Sequence, residues 1–438
     1  MLTDATLLLC IVLQVWGCAS AAKHPPLSAA WVRRTVVGGL GVAGALCTKW
    51  TGVSALAMAG LQTLVLLLRD LARAWQGGGG RGAAVGAMLR HGLASAALLL
   101  LLPALLYVLC FYAHFTLLPS TGSTGAAFMT PRFRATLQGD EYSPARLLEL
   151  VNSGTPTRYG VLHDASLPSF WEKFVELNGE MLRANQAIRT GHDWGSRWWE
   201  WPLMLRSVLY WVGKSTEYSL AGTEGGGVAR IYCIGTPLVW WLAAAGPSLF
   251  AAWLMTQPLR SLRATPSMAW PTVGVGCYLA LGYLLNWLPF MIVERVAFLY
   301  HFLPSLIYSL LLLGFMFDRL VPNGKLMAIP AAPAAAPASA PAAAPAAASP
   351  PKTKKGKGAS GAPTKQPEEE AAAVSPAVTK QPEPFAALAA TDGVLRWVVA
   401  AVLIQVMAAS FAFFAPLMYG TPITKATLDS RMWVQGWR

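Results

Sequence analysis

Apolar residues in this chain are gathered into long blocks that polar or charged segments separate. A transmembrane helix needs about 20 mostly apolar residues to cross the hydrocarbon layer of a bilayer. Charged residues make up 13% of the chain, whereas soluble domains carry about 25%. The sequence therefore predicts an all-α polytopic membrane protein, a bundle of about eight transmembrane helices. We place these helices near residues 5–21, 36–49, 50–68, 91–113, 233–254, 270–290, 297–316 and 395–416.

The longest segment between two predicted spans, residues 114–231, has a pattern of its own. Apolar side chains recur there at helical spacing with charged residues on the opposite face, which favours an amphipathic helix at the membrane surface. Tryptophans are frequent just beyond it, and tryptophan favours the headgroup layer. We therefore predict interfacial amphipathic helices over residues 169–186 and a second interfacial piece over 194–211. The apolar face of the first helix comprises Phe170, Phe174, Leu177 and Met181.

Basic residues indicate the side of the membrane on which each loop lies, because cytosolic loops retain Lys and Arg. Basic clusters follow the first, third, fifth and seventh predicted spans. Alternation then places the segment 114–231 and the C-terminus on the non-cytosolic side. It also makes residues 35–68 a tight hairpin whose tip, with Lys49, lies on that same side. The clusters are Arg33 and Arg34; Arg69, Arg73, Arg81 and Arg90; Arg260 and Arg263; and KTKKGKG at 352–358.

Composition divides the chain into five segments. Transmembrane helices at both ends flank the non-cytosolic loop, and an Ala/Pro/Lys-rich stretch interrupts the second half. Low-complexity sequence of that kind is typical of a disordered linker. The segments are 1–113 (transmembrane helices), 114–231 (non-cytosolic loop), 232–318 (transmembrane helices), 319–393 (disordered cytosolic insert) and 394–438 (last transmembrane helix and C-terminus).

Several common chemistries have no signature in this sequence. It contains no G-x-x-x-x-G-K-[ST], H-E-x-x-H, C-x-x-C or G-x-S-x-G motif, so ATP-driven transport and zinc proteolysis lack support. The six cysteines lie in apolar stretches without histidines at metal spacing, and we expect no metal site. The net charge of +13 lies in loops rather than in a soluble basic module, and no nucleic-acid partner is expected. An enzyme acting on a lipid-linked substrate and a transporter both remain open.

Polar residues that are unusual in an apolar chain fall on the non-cytosolic side of the predicted topology. For any one of them, an interfacial side chain that reaches the headgroups is as good an interpretation as a functional role. Together they favour a functional site, because an acid, bases and imidazoles meet at one side of one bundle. These residues are Asp4, Lys49, His114, Glu294, Arg295 and His301.

Several stretches, taken together, resemble one family, the eukaryotic protein O-mannosyltransferases (dolichyl-phosphate-mannose–protein mannosyltransferases). The similar stretches occur in the family's order and cover nearly the whole chain apart from the Ala/Pro-rich insert. LPFMIVERVAFLYHFLPSL at 288–306 resembles the family's P-F-x-x-x-R-x-x-F-x-H-H-Y-x-P segment. The others are FYAHFTLLPSTGSTGAAFMTPRFRATLQG at 111–139, SFWEKFVELNGEML at 169–182, YCIGTPLVWW at 232–241 and FAPLMYGTPIT at 414–424.

The resemblance implies a GT-C-like fold in the endoplasmic reticulum membrane, with a lumenal C-terminus. It implies transfer of mannose from dolichyl phosphate mannose to Ser or Thr hydroxyls of secretory polypeptides, with membrane lipids around the bundle and no cofactor beyond the lipid-linked donor. A dimer with a related mannosyltransferase is also expected. Such chemistry needs cations that hold the phosphate leaving group. The candidates are Lys49 and Arg295 for the phosphate, with His301 and His114 positioning the phosphate or the acceptor.

The chain departs from the family pattern at its start and in its large loop. MLTDATLLL resembles the family's interior R-[FY]-I-L-L-D-S-x-L-L, so we expect the first spans, the acidic Asp-Glu loop and the MIR repeats to be missing. The catalytic residues are therefore unassigned, and we do not predict a catalytic role for Asp4. Tyr300 stands where the first of two histidines is usual, and Phe302 replaces a tyrosine. The alternatives are an inactive relative acting as a non-catalytic membrane subunit, and a transporter.

Overall fold

The apolar blocks fold as helices in a computed structural model of the chain, which describes residues 2–76, 81–122, 126–189, 191–213, 227–256, 270–321 and 383–438. The helices in these ranges are α1 (Leu2–Ala21), α2 (Ala29–Thr48), α3 (Val53–Gln76), α4 (Arg81–Ala96), α5 (Leu102–Leu117), α6 (Pro131–Arg134), α7 (Pro144–Ser153), α8 (Phe170–Ala187), α9 (Pro237–Met255), α10 (Trp270–Trp287), α11 (Leu303–Leu320), α12 (Glu383–Tyr419) and α13 (Lys425–Asp429).

The chain divides into two units. The first comprises Met1–Arg319 with Leu403–Arg438, and the second is Leu320–Val402. Of the predicted disordered insert at 319–393, residues 322–382 lie outside the described residues, and disorder there stays a prediction. Residues 383–393 belong to α12 and residues 319–320 to α11, so the predicted bounds of the insert were too wide.

Seven helical stretches among the described residues are long and apolar enough to cross a membrane, which confirms a multi-pass membrane protein. The remaining predicted span, near 36–49, corresponds to α2, a 20-residue helix that is not one of the seven. This helix begins at Ala29, so Arg33 and Arg34, which we predicted to lie in a loop, belong to its first turns. The guanidinium of Arg34 lies 4.8 Å from the ring centre of Trp16 on α1. This cation–π contact stabilises a charge inside the helix rather than in a loop.

Small residues hold α1 and α2 in close antiparallel contact. A Cβ added to Gly41 would lie 2.5 Å from the backbone nitrogen of Gln14 and 2.6 Å from the carbonyl oxygen of Cys10. One added to Gly38 would lie 2.9 Å from the sulfur of Cys18. Glycines at a helix interface let two backbones approach until their dispersion contacts are dense, which is how helices associate in lipid.

The predicted hairpin with Lys49 at its tip is confirmed by the structure. Lys49 is extended (φ −161°, ψ 137°) and follows the last turn of α2 directly. A 3₁₀ turn, Trp50–Gly52, then reverses the chain into α3. Gly52 packs against the backbone of Ala45, where a Cβ would collide with the carbonyl group. Farther along, the Gln62 amide donates to the carbonyl of Cys18 at 2.8 Å and joins α3 to α1.

Helices α4 and α5 form one long stretch that runs beside α2. A π-helical turn, Ala97–Leu101, joins them immediately before Pro103. Proline lacks the N–H that would continue the regular hydrogen bonds, so a widened turn precedes it. Gly39 of α2 faces this turn so closely that a Cβ would collide with the carbonyl oxygen of Leu98. The contact fixes where α5 begins relative to α2.

The helix predicted over 169–186 is confirmed as α8, while its position at the membrane surface stays a prediction. Ser169 and Glu172 form a capping box at its start, with the Ser169 N–H donating to the Glu172 carboxylate at 2.7 Å. Its aromatic residues pack on α5: the Phe174 ring lies 5.1 Å from Phe111, and the Phe170 ring 5.9 Å from Phe115. The apolar face of α8 therefore meets another helix of the same chain.

The second interfacial piece, over 194–211, is not a helix. It contains a 3₁₀ turn, Trp198–Glu200, and then the strand β3 (Val208–Val212). β3 pairs antiparallel with β4 (Arg230–Cys233), and a second small sheet joins β1 (Pro156–Thr157) to β2 (Gly160–Val161). Pro202 and the left-handed backbone of Met204 (φ 52°) are incompatible with a continuous helix here.

A buried carboxylate organises the segment between α5 and α7. Asp140, whose side chain is 1% exposed, pairs with Arg134 at 3.1 Å. It also accepts hydrogen bonds from Thr121 and from the backbone N–H of Tyr142, each at 3.1 Å. Burial by itself raises the pKa of Asp140, but these donors and the Arg134 charge outweigh it, so the pKa lies below its usual value. The carboxylate is therefore ionised and structural at neutral pH.

The glycine interface predicts a size limit at Gly41. Gly41→Ala should push α1 and α2 apart and destabilise the folded chain by about 1–3 kcal/mol, because overpacking displaces backbone. Thermal unfolding of the purified chain in detergent measures this. Gly60→Ala on α3 is the matched control, since a Cβ there meets nothing within 4 Å. Equal unfolding temperatures for the two variants would contradict the packing argument.

Because Asp140 is ionised and buried, we predict that the segment between α5 and α7 is sensitive to acid. Its folded pKa lies below the unfolded value, so its stabilising contribution is complete above about pH 3.9 and is lost as the pH falls further. Asp140→Asn should cost about 1.5–3 kcal/mol of local stability at pH 7, the value of charge-assisted hydrogen bonds. Limited proteolysis between Pro119 and Tyr142 reports it. Glu141→Gln is the control, because Glu141 also meets Arg134 but is 68% exposed; similar cleavage of both variants would refute the assignment.

Candidate functional site

A cavity of about 540 Å³ opens at the end of the bundle that carries Lys49. Its wall is formed by the hairpin tip, the C-terminal turns of α8 and the connection between α10 and α11. Three of the four predicted site residues line it, although they are far apart in the sequence. These three are Lys49, Arg295 and His301; further lining residues include Asn185, Gln186 and Arg189.

Lys49 is held in the wall by two contacts. Its ammonium lies 3.0 Å from a carboxylate oxygen of Asp4, at the start of α1. It also lies 5.0 Å from the ring centre of Tyr300. The side chain of Asp4 is 12% exposed and that of Lys49 is 27% exposed. An ammonium carries three N–H donors, so Lys49 keeps donors for a ligand while Asp4 fixes its position.

Arg295 reaches the cavity from the connection between α10 and α11. One terminal nitrogen donates to the side-chain oxygen of Asn185 on α8. Its Nε donates to the carbonyl of Val296 at 3.3 Å. A guanidinium has five N–H donors in a planar fork, so the remaining donors can bind an anion. At the cavity rim Arg189 faces Glu294 at 3.4 Å, and both side chains are more than 70% exposed.

His301 is 7% exposed and is held in position by both its backbone contacts and its neighbouring rings. Its Nδ1 lies 3.1 Å from the backbone nitrogen and 3.0 Å from the carbonyl oxygen of Phe298, so it accepts from the first or donates to the second according to the tautomer. In the tautomer with the proton on Nε2, that nitrogen can donate to a ligand. The ring stacks on Tyr300 at 4.6 Å and on Trp201 at 6.0 Å, and meets the edge of Phe290 at 5.3 Å.

His114, the fourth predicted residue, lies elsewhere. It is exposed near the end of α5, where its ring is 5.6 Å from that of Phe115. It does not line the cavity of Lys49, Arg295 and His301. The structure therefore brings three of the predicted residues together and separates the fourth from them.

Sequence reasoning missed the residues that position this site. Asn185 had no signal beyond its place at the end of an amphipathic pattern, yet it orients Arg295. Trp201 belongs to a tryptophan run that we interpreted as membrane anchoring. It is fully buried, donates from Nε1 to Ser196 at 2.9 Å, and lies 5.0 Å from Phe290. The proline that follows it was a hint that the run leaves the helical pattern.

A larger cavity, of about 720 Å³, lies between α6, β2 and the start of α8. Its Arg132 is engaged with two carboxylates of the same cavity, Asp164 at 3.2 Å and Glu172 at 3.4 Å. It contains none of the predicted site residues. We therefore take the smaller cavity as the candidate site, because Arg295 there contacts an amide and a carbonyl oxygen rather than a carboxylate. Among the described residues no group of three or more His, Cys, Asp or Glu side chains is placed to hold a metal ion.

Two family models match this chain. Residues 1–119 match dolichyl-phosphate-mannose-protein mannosyltransferase, and residues 170–343 match the C-terminal four-transmembrane region of protein-O-mannosyltransferase. Together the matches cover about two thirds of the chain. The first match includes Lys49 and the second includes Arg295 and His301.

Curated relatives agree with these matches over a shorter region. Dolichyl-phosphate-mannose–protein mannosyltransferase 1 of Candida albicans is 32% identical over 154 residues, which are 34% of this chain and 16% of the relative. Protein O-mannosyl-transferase 1 of Homo sapiens is 32% identical over 149 residues, covering 33% of this chain and 18% of the relative. The matched part of this chain thus spans less than a fifth of the length of these relatives.

A solved structure has the same fold. The S. cerevisiae protein O-mannosyltransferase Pmt1-Pmt2 complex bound to the sugar donor matches with a TM-score of 0.68 and 15% sequence identity. The match covers 99% of this chain and 73% of the other. The polytopic helical bundle expected from the sequence is thereby confirmed.

The buried rings predict that Trp201 holds the site together. Trp201→Ala should destabilise the chain by about 3–5 kcal/mol, the usual result of truncating a buried aromatic residue, and should loosen His301, which stacks on it. Thermal unfolding in detergent measures the first effect. Trp199→Ala is the control, since Trp199 is 49% exposed and should change stability by no more than about 0.5 kcal/mol. The prediction fails if the two variants unfold together.

Proposed function

This chain belongs to the protein O-mannosyltransferase family, and on that premise we propose that it transfers mannose from dolichyl phosphate mannose to Ser or Thr hydroxyls of secretory polypeptides. The observation that carries the proposal is the convergence of Lys49, Arg295 and His301 on one cavity at one end of the helices. Lys49 and Arg295 present N–H donors, and His301 adds a third in the tautomer protonated on Nε2, a set that suits a phosphate group. A site at the end of the bundle also suits a donor whose lipid tail lies in the membrane.

The charges around the cavity match the proposed donor. Lys49, Arg189 and Arg295 are cationic, whereas Asp4 and Glu294 are anionic and each faces one of the cations. The sum is one positive charge. Dolichyl phosphate mannose is a phosphodiester with one negative charge, so donor and site neutralise each other when the donor binds.

The transfer itself makes the phosphate more negative. The bond between the mannose C1 and the phosphate oxygen breaks, its electron pair stays on the phosphate, and C1 bonds the acceptor oxygen, which loses its proton to a base. Donors fixed in place before the reaction stabilise such developing charge more than they stabilise the bound substrate. Lys49 and Arg295 would hold the phosphate, and Nε2 of His301 would donate to one of its oxygens. Asp4 and Glu294 act as counterions, since each faces a cation.

The same proposal covers location and partner. Positive residues at the opposite end of the helices support a cytosolic position for that end. The cavity end and the C-terminus would then face the lumen of the endoplasmic reticulum. The fold match is to one chain of a two-protein complex, which supports a dimer with a related mannosyltransferase.

Substitution of the two cations tests the proposal. Microsomes containing the full chain are assayed for binding of dolichyl phosphate mannose and for mannose transfer to an acceptor peptide. Lys49→Ala and Arg295→Ala should each lower both by about 10- to 100-fold, the loss expected for one charge-assisted hydrogen bond. Arg183→Ala is the matched control, because Arg183 lies on α8, is 69% exposed and pairs with Glu180 outside the cavity.

The outcomes separate the alternatives. Unchanged donor binding in both variants would overturn the phosphate assignment. Donor binding that depends on both cations, without any transfer by the wild-type chain, would favour a non-catalytic subunit of a larger enzyme.

A further inference from the structure

Two cysteines meet beside the proposed donor site. The sulfur of Cys47 in the last turn of α2 lies 3.7 Å from the sulfur of Cys110 in α5. Neither forms a disulfide in the structure, and both side chains are exposed. Both line a cavity of about 250 Å³ that shares Lys49, Trp50 and Asn185 with the donor cavity. Reagents that enter from the Lys49 end can therefore reach the two thiols.

Contacts before and after Cys47 along the chain hold α2 and the hairpin tip against α5. Before it, Gly39 packs against the carbonyl of Leu98, with no room for a side chain between the helices. After it, the Trp50 indole N–H donates to the hydroxyl of Tyr107, three residues before Cys110, at 3.0 Å. A disulfide requires the sulfurs to come about 1.6–1.7 Å closer than they lie here.

The other four cysteines have different surroundings. Cys10 and Cys18 are buried between helices, Cys233 contacts the Tyr210 hydroxyl through a hydrogen bond, and Cys277 is exposed on α10. Disulfides persist in the secretory pathway and are rare in the cytosol. Cys47 and Cys110 lie at the end of the bundle that our proposal places in the lumen.

We infer that Cys47 and Cys110 constitute a thiol–disulfide site that fastens the hairpin tip to α5, an inference that rests on the proposed lumenal position of this end. The two thiols would lose two electrons and two protons and form one S–S bond. The oxidant is a disulfide of the compartment, either oxidised glutathione or a protein disulfide, and it is reduced to two thiols. Because Lys49 is two residues from Cys47, the bond fixes the backbone that presents the ammonium to the donor cavity.

Differential alkylation of the full chain in its native membranes tests the inference. Free thiols are blocked with light N-ethylmaleimide during lysis and denaturation, disulfides are then reduced, and the new thiols take heavy N-ethylmaleimide. Mass spectrometry should find heavy label on Cys47 and Cys110 and light label on Cys277. Without reduction, the two peptides should appear joined, with the mass of the pair less two hydrogens. In Cys47→Ser the label on Cys110 should change from heavy to light.

Light label on both Cys47 and Cys110 in the wild type would overturn the inference. Heavy label on Cys110 in Cys47→Ser would also overturn it, since Cys110 would then have another partner. Cys277→Ser is the matched control and should leave the labelling of the pair unchanged. Labelling does not depend on donor binding or transfer. The proposed function can therefore fail while this inference stands, and this inference can fail while the proposed function stands.

Discussion

Four indole N–H groups fasten the irregular segment 198–204 to the helix ends, and the site depends on this attachment. Trp287 donates to the carbonyl of residue 198 at 2.8 Å, and Trp240 to that of residue 201 at 2.9 Å. Trp241 donates to residue 203 at 2.9 Å and Trp437 to residue 204 at 2.7 Å. Buried carbonyls outside regular secondary structure need donors, and tryptophan supplies one at the tip of a large apolar ring. Four separate contacts therefore impose one conformation on a segment that has no helix or sheet of its own.

The attachment of this segment explains both the strained backbone of Met204 and the fixed position of Trp201. Met204 holds a left-handed conformation, φ 52°, which costs a non-glycine residue about 1–3 kcal/mol and persists only where the surroundings determine it. Its carbonyl accepts the Trp437 indole, and its sulfur accepts the N–H of Gly235 at 3.1 Å. Trp201, three residues earlier, is thereby fixed beneath His301. Lys49 is held independently by Asp4, so donors from separate parts of the chain are in place before a ligand arrives, as the proposed stabilisation of a phosphate leaving group requires.

The helices could be predicted from the sequence because the bilayer imposes a length and a polarity that any single segment must satisfy. The Lys49 hairpin followed from the alternation of basic clusters. Two features of the fold could not be predicted from the sequence. Arg33 and Arg34 lie inside α2. The local sequence could not show this, because the Trp16 ring that contacts Arg34 belongs to another helix. Residues 194–212 contain a 3₁₀ turn and a strand, which depend on indoles far away in the sequence and on the pairing with β4.

The sequence by itself determined the class of protein, the order of its long apolar helices, and the residue types that a phosphate site would use. Only the tertiary structure decided which of them meet. His114 separates from the others, and Asn185, which carries no motif, becomes the partner of Arg295. The contact of Cys47 with Cys110 is likewise decided only by the tertiary structure. Contacts of this kind depend on the rotation and offset of packed helices, which arise from the sum of many glycine, aromatic and hydrogen-bond contacts along each interface and from no single local pattern.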